Sequence, residues 1–306
     1  MDAKRAEVRG SFLFCMKLPV YFLSHGAPTM ALGLQPEKTI VFFKRLGLSI
    51  LSLKQEIKAL VIISAHWEST DEDCGVRGKF SNFHPFFANI SLIVTAAQTP
   101  EQIYDFYGFP SELYTIKYHM RGEPQIADRL AQTLKNQGIP CTLDNRRGLD
   151  HGSWVLLQNM FPQSELPCIQ LSLHTSLDPS FHVRLGQALK SLRDQGCLII
   201  GSGGAVHNLG QVDFDEPGDK AEHWAQTFDE VLRNAACVKP KTAEALCQIA
   251  LDEPALFQRA HPRTEHFLPM VVAAGALEDD EHFKRIHNEM QYGTLSLAAF
   301  ESSTLE

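Results

Sequence analysis

The 306-residue chain reads as an α/β protein with a mostly parallel or mixed central sheet and helices on both faces. Three observations predict this. Short apolar runs rich in β-branched residues recur along the sequence, amphipathic stretches of helical spacing lie between them, and no Gly/Ser linker, repeat or low-complexity tract divides them. Strands alternating with helices of this length favour a largely parallel sheet covered on both sides.

The predicted strands are PVYFLSHG at 19–26, ALVIISAHW at 59–67, NISLIVTAA at 89–97, LPCIQLSL at 166–173 and GCLIIGSGG at 196–204. Each is nearly continuous in apolar residues, as a strand buried on both faces should be, and closes on Gly, Ser, His or small residues. Helical spacing appears over 123–137 and 181–195, each stopped by a glycine (Gly138, Gly196), and again over 221–236 and 242–251. The Pro- and Gly-bearing segment 213–220 is the one boundary candidate and reads better as a loop beside a site. The domain assignment is therefore a loosely ordered extension over 1–16 and one catalytic domain over 17–306.

Composition narrows the function. Apolar residues make up 44% and charged residues 21%, as in ordinary globular domains. A net charge of −8 without clustered Lys and Arg speaks against nucleic acid and against an anionic membrane surface. The short apolar patch Ser11–Met16 is too short to span a bilayer and has no cleavage signal after it. The seven cysteines form no CxxC or CxC pair and read as reduced thiols, which predicts a cytoplasmic protein.

Thirteen histidines are present, and their positions carry more than their number. His25 and His66 close two predicted strands, and His207 follows a third in GSGGAVHNLG. His151 lies in GLDHGSW, and His266 in HPRTEHFLP ahead of an apolar run. Ligands of open α/β sheets bind beyond the carboxyl ends of the strands, so these side chains are placed to converge. Imidazole is the commonest metal ligand and titrates near neutrality. Trp67, Trp154 and the aromatic segment 80–87 are expected to wall an apolar slot; His119 is balanced between pocket and surface.

Taken together, SHGAP at 24–28, SAHWES at 64–69, YDFYGFP at 104–110, LDHGSW at 149–154, PCIQLSL at 167–173, GSGGAVHNL at 201–209 and HPRTEHFLPMVVAAGA at 261–276 resemble the LigB-like, DODA-type class III extradiol ring-opening dioxygenases. The resemblance implies a LigB-like single domain holding one divalent metal ion, Zn2+ or Fe2+, with Fe2+ expected for ring cleavage. It implies ligation by His25, His66 and His266, with His207 at or beside the metal, and catalytic roles for His151, as acid–base residue, and His207. The better-known LigB branch has a carboxylate as third ligand; here Glu265 and His266 adjoin in TEHF, and the resemblance favours His266. The implied partners are a catecholic substrate and O2, and the implied product is a semialdehyde. Competing expectations are a zinc hydrolase with Glu68 as base, and a non-catalytic member of the fold that keeps the site for binding.

Overall fold

A computed structural model of the chain describes residues 17–34, 36–70, 91–214, 221–238 and 240–304. The predicted N-terminal extension, the 80–87 segment and most of the 213–220 loop lie outside the described residues.

The strands are β1 (Val20–Ser24), β2 (Ala59–Ser69), β3 (Leu92–Thr95), β4 (Cys141–Asp144), β5 (Cys168–His174), β6 (Cys197–Gly203), β7 (Glu281–His287), β8 (Met290–Gln291), β9 (Leu295–Ser296) and β10 (Ala299–Thr304). The helices are α1 (Glu37–Leu51), α2 (Pro124–Asn136), α3 (His151–Met160), α4 (Pro179–Leu189), α5 (His223–Cys237), α6 (Thr242–Asp252), α7 (Pro254–Ala260) and α8 (Leu268–Gly275). Eight strands form one sheet in the order β4-β3-β5-β2-β6-β1-β10-β7, and β8 pairs with β9 apart from it.

The centre of the sheet is parallel: β6 pairs in parallel with both β1 and β2, and β2 with β5. β10 runs antiparallel to β1 and β7, and β3 antiparallel to β5, so the sheet is mixed. Alternation along the central strands feeds two cores. Val20, Phe22, Val61, Ile63 and Ile199 face the side covered by α2, α4, α5, α6 and α8, while Tyr21, Leu23, Leu60, Ile62 and Ile200 face α1 and α3. Every one of these residues is at most 2% exposed, which is why the strands read as unbroken apolar runs.

All five predicted strands and all four predicted helices are present. The stretch expected as one helix over 181–195 divides into α4 and a 3-10 turn over Lys190–Gln195, closed by Gly196 at φ 89°, a backbone region open to glycine at little cost. None of the five described cysteines forms a disulfide. Among the described residues, no helix is long and apolar enough to cross a membrane.

Candidate metal centre

The carboxyl ends of β1, β2 and β6 lie side by side in mid-sheet, and each delivers a histidine. His25 directly follows β1 and is pinned there by its N–H, which donates to the Gly203 carbonyl at the end of β6 (3.0 Å). His66 sits where β2 loses register with β5: Ile63 pairs with Leu171, and pairing resumes only at Glu68 with Leu173. Such an irregularity re-aims a side chain that regular pleating would bury in a helix-covered face. His207 follows β6, its N–H donating to the Ala260 carbonyl (3.0 Å).

Two more histidines arrive on helix starts, and glycines admit them. His151 opens α3, and a Cβ at Gly152 would lie 2.6 Å from Ser64 Oγ and 3.1 Å from the His66 ring, so α3 docks on β2 only without one. His266 precedes α8, whose chain crosses β6 at Gly203; a Cβ there would be 2.2 Å from the His266 carbonyl oxygen. The neighbouring Gly204 N–H donates to that same oxygen (3.0 Å).

The five rings meet. His66 Nε2 is 3.0 Å from His25 Nε2 and 3.2 Å from His266 Nε2. Two ligands held about 2.0–2.1 Å from one ion stand about 2.8–3.4 Å apart for bond angles between right and tetrahedral, so these separations fit a shared cation. Donor-capable atoms of His25, His66 and His151 lie within 4.8 Å of one another, as do those of His207, Glu265 and His266. The His66–His266 contact joins the two groups.

Second nitrogens fix the tautomers. Ser202 Oγ donates to the Gly152 carbonyl (2.5 Å), so it accepts from His25 Nδ1–H (3.1 Å), and His25 Nε2 keeps its lone pair. His266 Nδ1–H donates to Glu265 Oε1 (2.9 Å), which leaves its Nε2 equally bare. Carboxylate and hydroxyl partners of this kind orient metal-binding imidazoles. Burial, then the neighbouring histidines, hold His25 and His266 well below the ordinary histidine range; burial and then His151 do so for His66. Burial, then His151, lowers His207 to about 4. Neutral rings are the form that ligates.

His207 stacks on His266, ring centroids 3.4 Å apart and planes 10° from parallel. It therefore stands beside the group of three Nε2 atoms. His151 hangs on Asp105: the carboxylate accepts its backbone N–H at Oδ1 (2.8 Å) and its ring Nδ1–H at Oδ2 (2.9 Å). Oδ2 is also 3.6 Å from His66 Nδ1. Asp150, fully buried at the head of α3, accepts from Ser64 Oγ (2.7 Å) and from Gln170 Nε2, and burial pushes its carboxyl up.

All five histidines line one cavity of about 750 Å³. Its walls depart from the expected slot. Trp67 and Trp154 are absent from the lining: Arg147 stacks on Trp67 (4.4 Å), and Trp154, with no exposed surface, donates Nε1–H to the Ile103 carbonyl (2.9 Å). The aromatic lining comes instead from Phe106, Tyr107, Phe109, Phe214 and Tyr292. The 80–87 segment lies outside the described residues, and His119 is exposed, away from the cavity. Glu68 lines the cavity but is gripped by both terminal nitrogens of Arg263 (2.5 and 2.6 Å). Asp105 and Ser202 were not legible as site residues, although YDFYGFP and GSGG, which contain or adjoin them, were. Their contacts depend on chain segments far apart in sequence.

Residues 19–300 match the family described as the catalytic LigB subunit of aromatic ring-opening dioxygenase. The chain is 36% identical over 283 residues to a Beta vulgaris 4,5-DOPA dioxygenase extradiol, covering 92% of this chain and 95% of that one. It is 31% identical to the Escherichia coli K12 protein of the same name, covering 96% and 98%. A crystal structure of an uncharacterized E. coli K12 protein superposes with a TM-score of 0.70 at 27% identity, covering 93% of this chain and 99% of that one. With a matching sheet, a matching sequence and a histidine cluster able to hold a metal, the chain belongs to the LigB family of aromatic ring-opening dioxygenases.

Proposed function

We propose that the protein is a metal-dependent extradiol dioxygenase that opens a catecholic ring with O2 to give a semialdehyde. The observation that carries the reading is the meeting of three histidine Nε2 atoms, 3.0 and 3.2 Å apart, on the wall of a largely apolar cavity in a chain of this family. His25, His66 and His266 would be the ligands, with Glu265 holding His266 in place. A divalent redox-active ion held by these residues would supply the Lewis acidity and electron transfer that ring opening by O2 requires. Three protein ligands leave it open positions; iron(II) is the ion this redox chemistry calls for, and zinc would bind the same nitrogens.

The chain's own residues supply the rest. The aromatic walls bind and orient a planar ring and keep bulk water from it. His151, whose Nδ1–H is taken by Asp105, offers Nε2 to accept a proton from a catechol hydroxyl and later to return it. His207, stacked on His266, limits how His266 can turn and presents a neutral imidazole to the cavity. A hydrolase using Glu68 as base is disfavoured, because that carboxylate is already held by Arg263.

The experiment is metal analysis of the purified enzyme, followed by oxygen-electrode assays on a catechol series with added Fe2+ under reducing conditions. One O2 consumed per ring opened is the expected result. His25→Ala, His66→Ala and His266→Ala should each lose bound metal together with activity. Full metal occupancy in any of the three would remove that residue from the ligand set, and ring opening without O2 uptake would overturn the reaction.

A further inference from the structure

We infer that Asp105 is a positioning residue that fixes two histidines at once, holding His151 with its proton on Nδ1 and turning the Nε2 of His66 inward. The inference rests on the reading of His151 as the acid–base group and of His66 as a ligand. It begins in the backbone. Residues 101–103 run beside Leu149: Gln102 bridges to Leu149 in parallel, Ile103 N–H donates to the Leu149 carbonyl (2.9 Å), and Leu149 N–H donates to the Glu101 carbonyl (2.8 Å). Two residues beyond Ile103 comes Asp105, and two beyond Leu149 comes His151. The bridge holds the two segments side by side where they part, and from there the Asp105 carboxylate reaches both the N–H and the ring of His151.

The local anchors on both sides are strong. Trp154 Nε1–H donates to the Ile103 carbonyl (2.9 Å), and Tyr104 Oη–H donates to the Ile116 carbonyl (2.5 Å). Asp105 is thus presented by a clamped segment, although it lies outside regular structure. Its Oδ1 accepts the first N–H of α3, a donor that has no partner within the helix. Its Oδ2 accepts Nδ1–H of the same residue and lies 3.6 Å from His66 Nδ1. Rotating the His151 ring by half a turn would break the second contact, and moving the proton to Nε2 would set two lone-pair atoms against each other at 2.9 Å. A carboxylate can accept at both oxygens and donate at neither, so it permits only one arrangement of the protons.

Asp105→Asn separates this role from packing. The amide has almost the same shape, and its oxygen can still accept the His151 N–H. Its NH2 group then faces His151 Nδ1 and favours the proton on Nε2, the wrong nitrogen for a base. With uniformly 15N-histidine-labelled, zinc-loaded protein, NMR should find His151 protonated at Nδ1 in the wild type and at Nε2 in the variant. The metal-saturated kcat should fall about 10²–10⁴-fold with KM little changed. Zinc affinity, measured by chelator competition, should weaken by about 10–100-fold through His66. A carboxylate that only braces the loop would lower Tm and leave the tautomers and the kcat per folded molecule as they were, which overturns the proposal. Should the variant not fold, the wild-type spectrum decides: a His151 proton on Nε2 overturns it. If the wild type opens no catechol, the proposed reaction falls, while the tautomer and zinc measurements still judge Asp105.

Discussion

An imidazole has two nitrogens, and what the outer one touches decides what the inner one can do. His25 gives Nδ1–H to Ser202, and His266 gives its own to Glu265. Both are thereby presented as neutral donors, close enough to His66 to share an ion. His151 gives Nδ1–H to a carboxylate, and its ring is 3.9 Å from that of His66 by centroid. With the proton held on Nδ1, its Nε2 is the atom offered to the cavity, and the adjacent position suits it to a proton on a bound substrate. His151→Ala should therefore keep nearly full metal content while its turnover falls about 10²–10⁴-fold, the usual contribution of a positioned acid or base. Metal content, Tm and turnover measured on one preparation check this. A metal-free variant would make His151 a ligand, and a metal-replete one with normal turnover would remove it from the chemistry.

At the scale of elements, glycine decides where α8 can lie. Gly201 and Gly203 are two apart on β6 and so share a face; Cβ atoms on them would each stand 2.2 Å from a carbonyl oxygen, of Pro269 and His266 respectively. Neither backbone can yield as a flexible side chain would. Gly201→Ala and Gly203→Ala should each cost about 1–3 kcal/mol by overpacking, read in denaturant unfolding. Gly203→Ala should in addition weaken zinc binding, because the oxygen it displaces belongs to a proposed ligand. Wild-type zinc affinity in Gly203→Ala would show that the crossing does not position His266. The same local contrast explains what was legible beforehand. Central strands buried on both faces wrote themselves as apolar runs, and the histidines at their ends could be named. β7 (EHFKRIH) and β10 (AFESST) are partly exposed and polar, so neither stands out as a run. α3 is buried almost all round and has no polar face to reveal its period. α1 does carry helical spacing in Ile40, Phe43, Leu46 and Ile50, blurred by the exposed Val41 and Leu48. Asp105 was hidden for another reason: its role depends on residues 101–103 lying beside Leu149, a pairing between segments with no pattern of their own.

Across the whole molecule, burying histidines in the neutral state ties stability to pH. His182 has no exposed surface; its Nδ1–H donates to the Asp178 carbonyl (2.6 Å), and its Nε2 accepts the His174 N–H (3.3 Å), joining the end of β5 to α4. Burial is the leading cause that lowers it to about 4, and burial likewise lowers His261 to about 3. Unfolding releases such a ring to its ordinary value near 6.5. Between that value and the folded one, the unfolded chain binds the extra proton, so stability is whole above about pH 6.5 and drains away as pH falls. Each such histidine contributes a slope of about 1.4 kcal/mol per pH unit within its window. The site histidines, also held well below their usual range, add in the same direction. Carboxyls depressed in the fold, Asp105 and Glu281 among them, also lose their contribution on acidification, chiefly below about pH 4.5. The interval from pH 6 to pH 4.5 is where the histidines titrate, opposed by Asp150, Asp229 and Glu265, whose carboxyls burial raises. Urea unfolding across it should show stability falling steeply with acid, and His182→Gln, though less stable at pH 7.5, should show a slope shallower by about one proton. An unchanged slope in that variant would mean that His182 takes up its proton without unfolding, and that the link between β5 and α4 tolerates a charge.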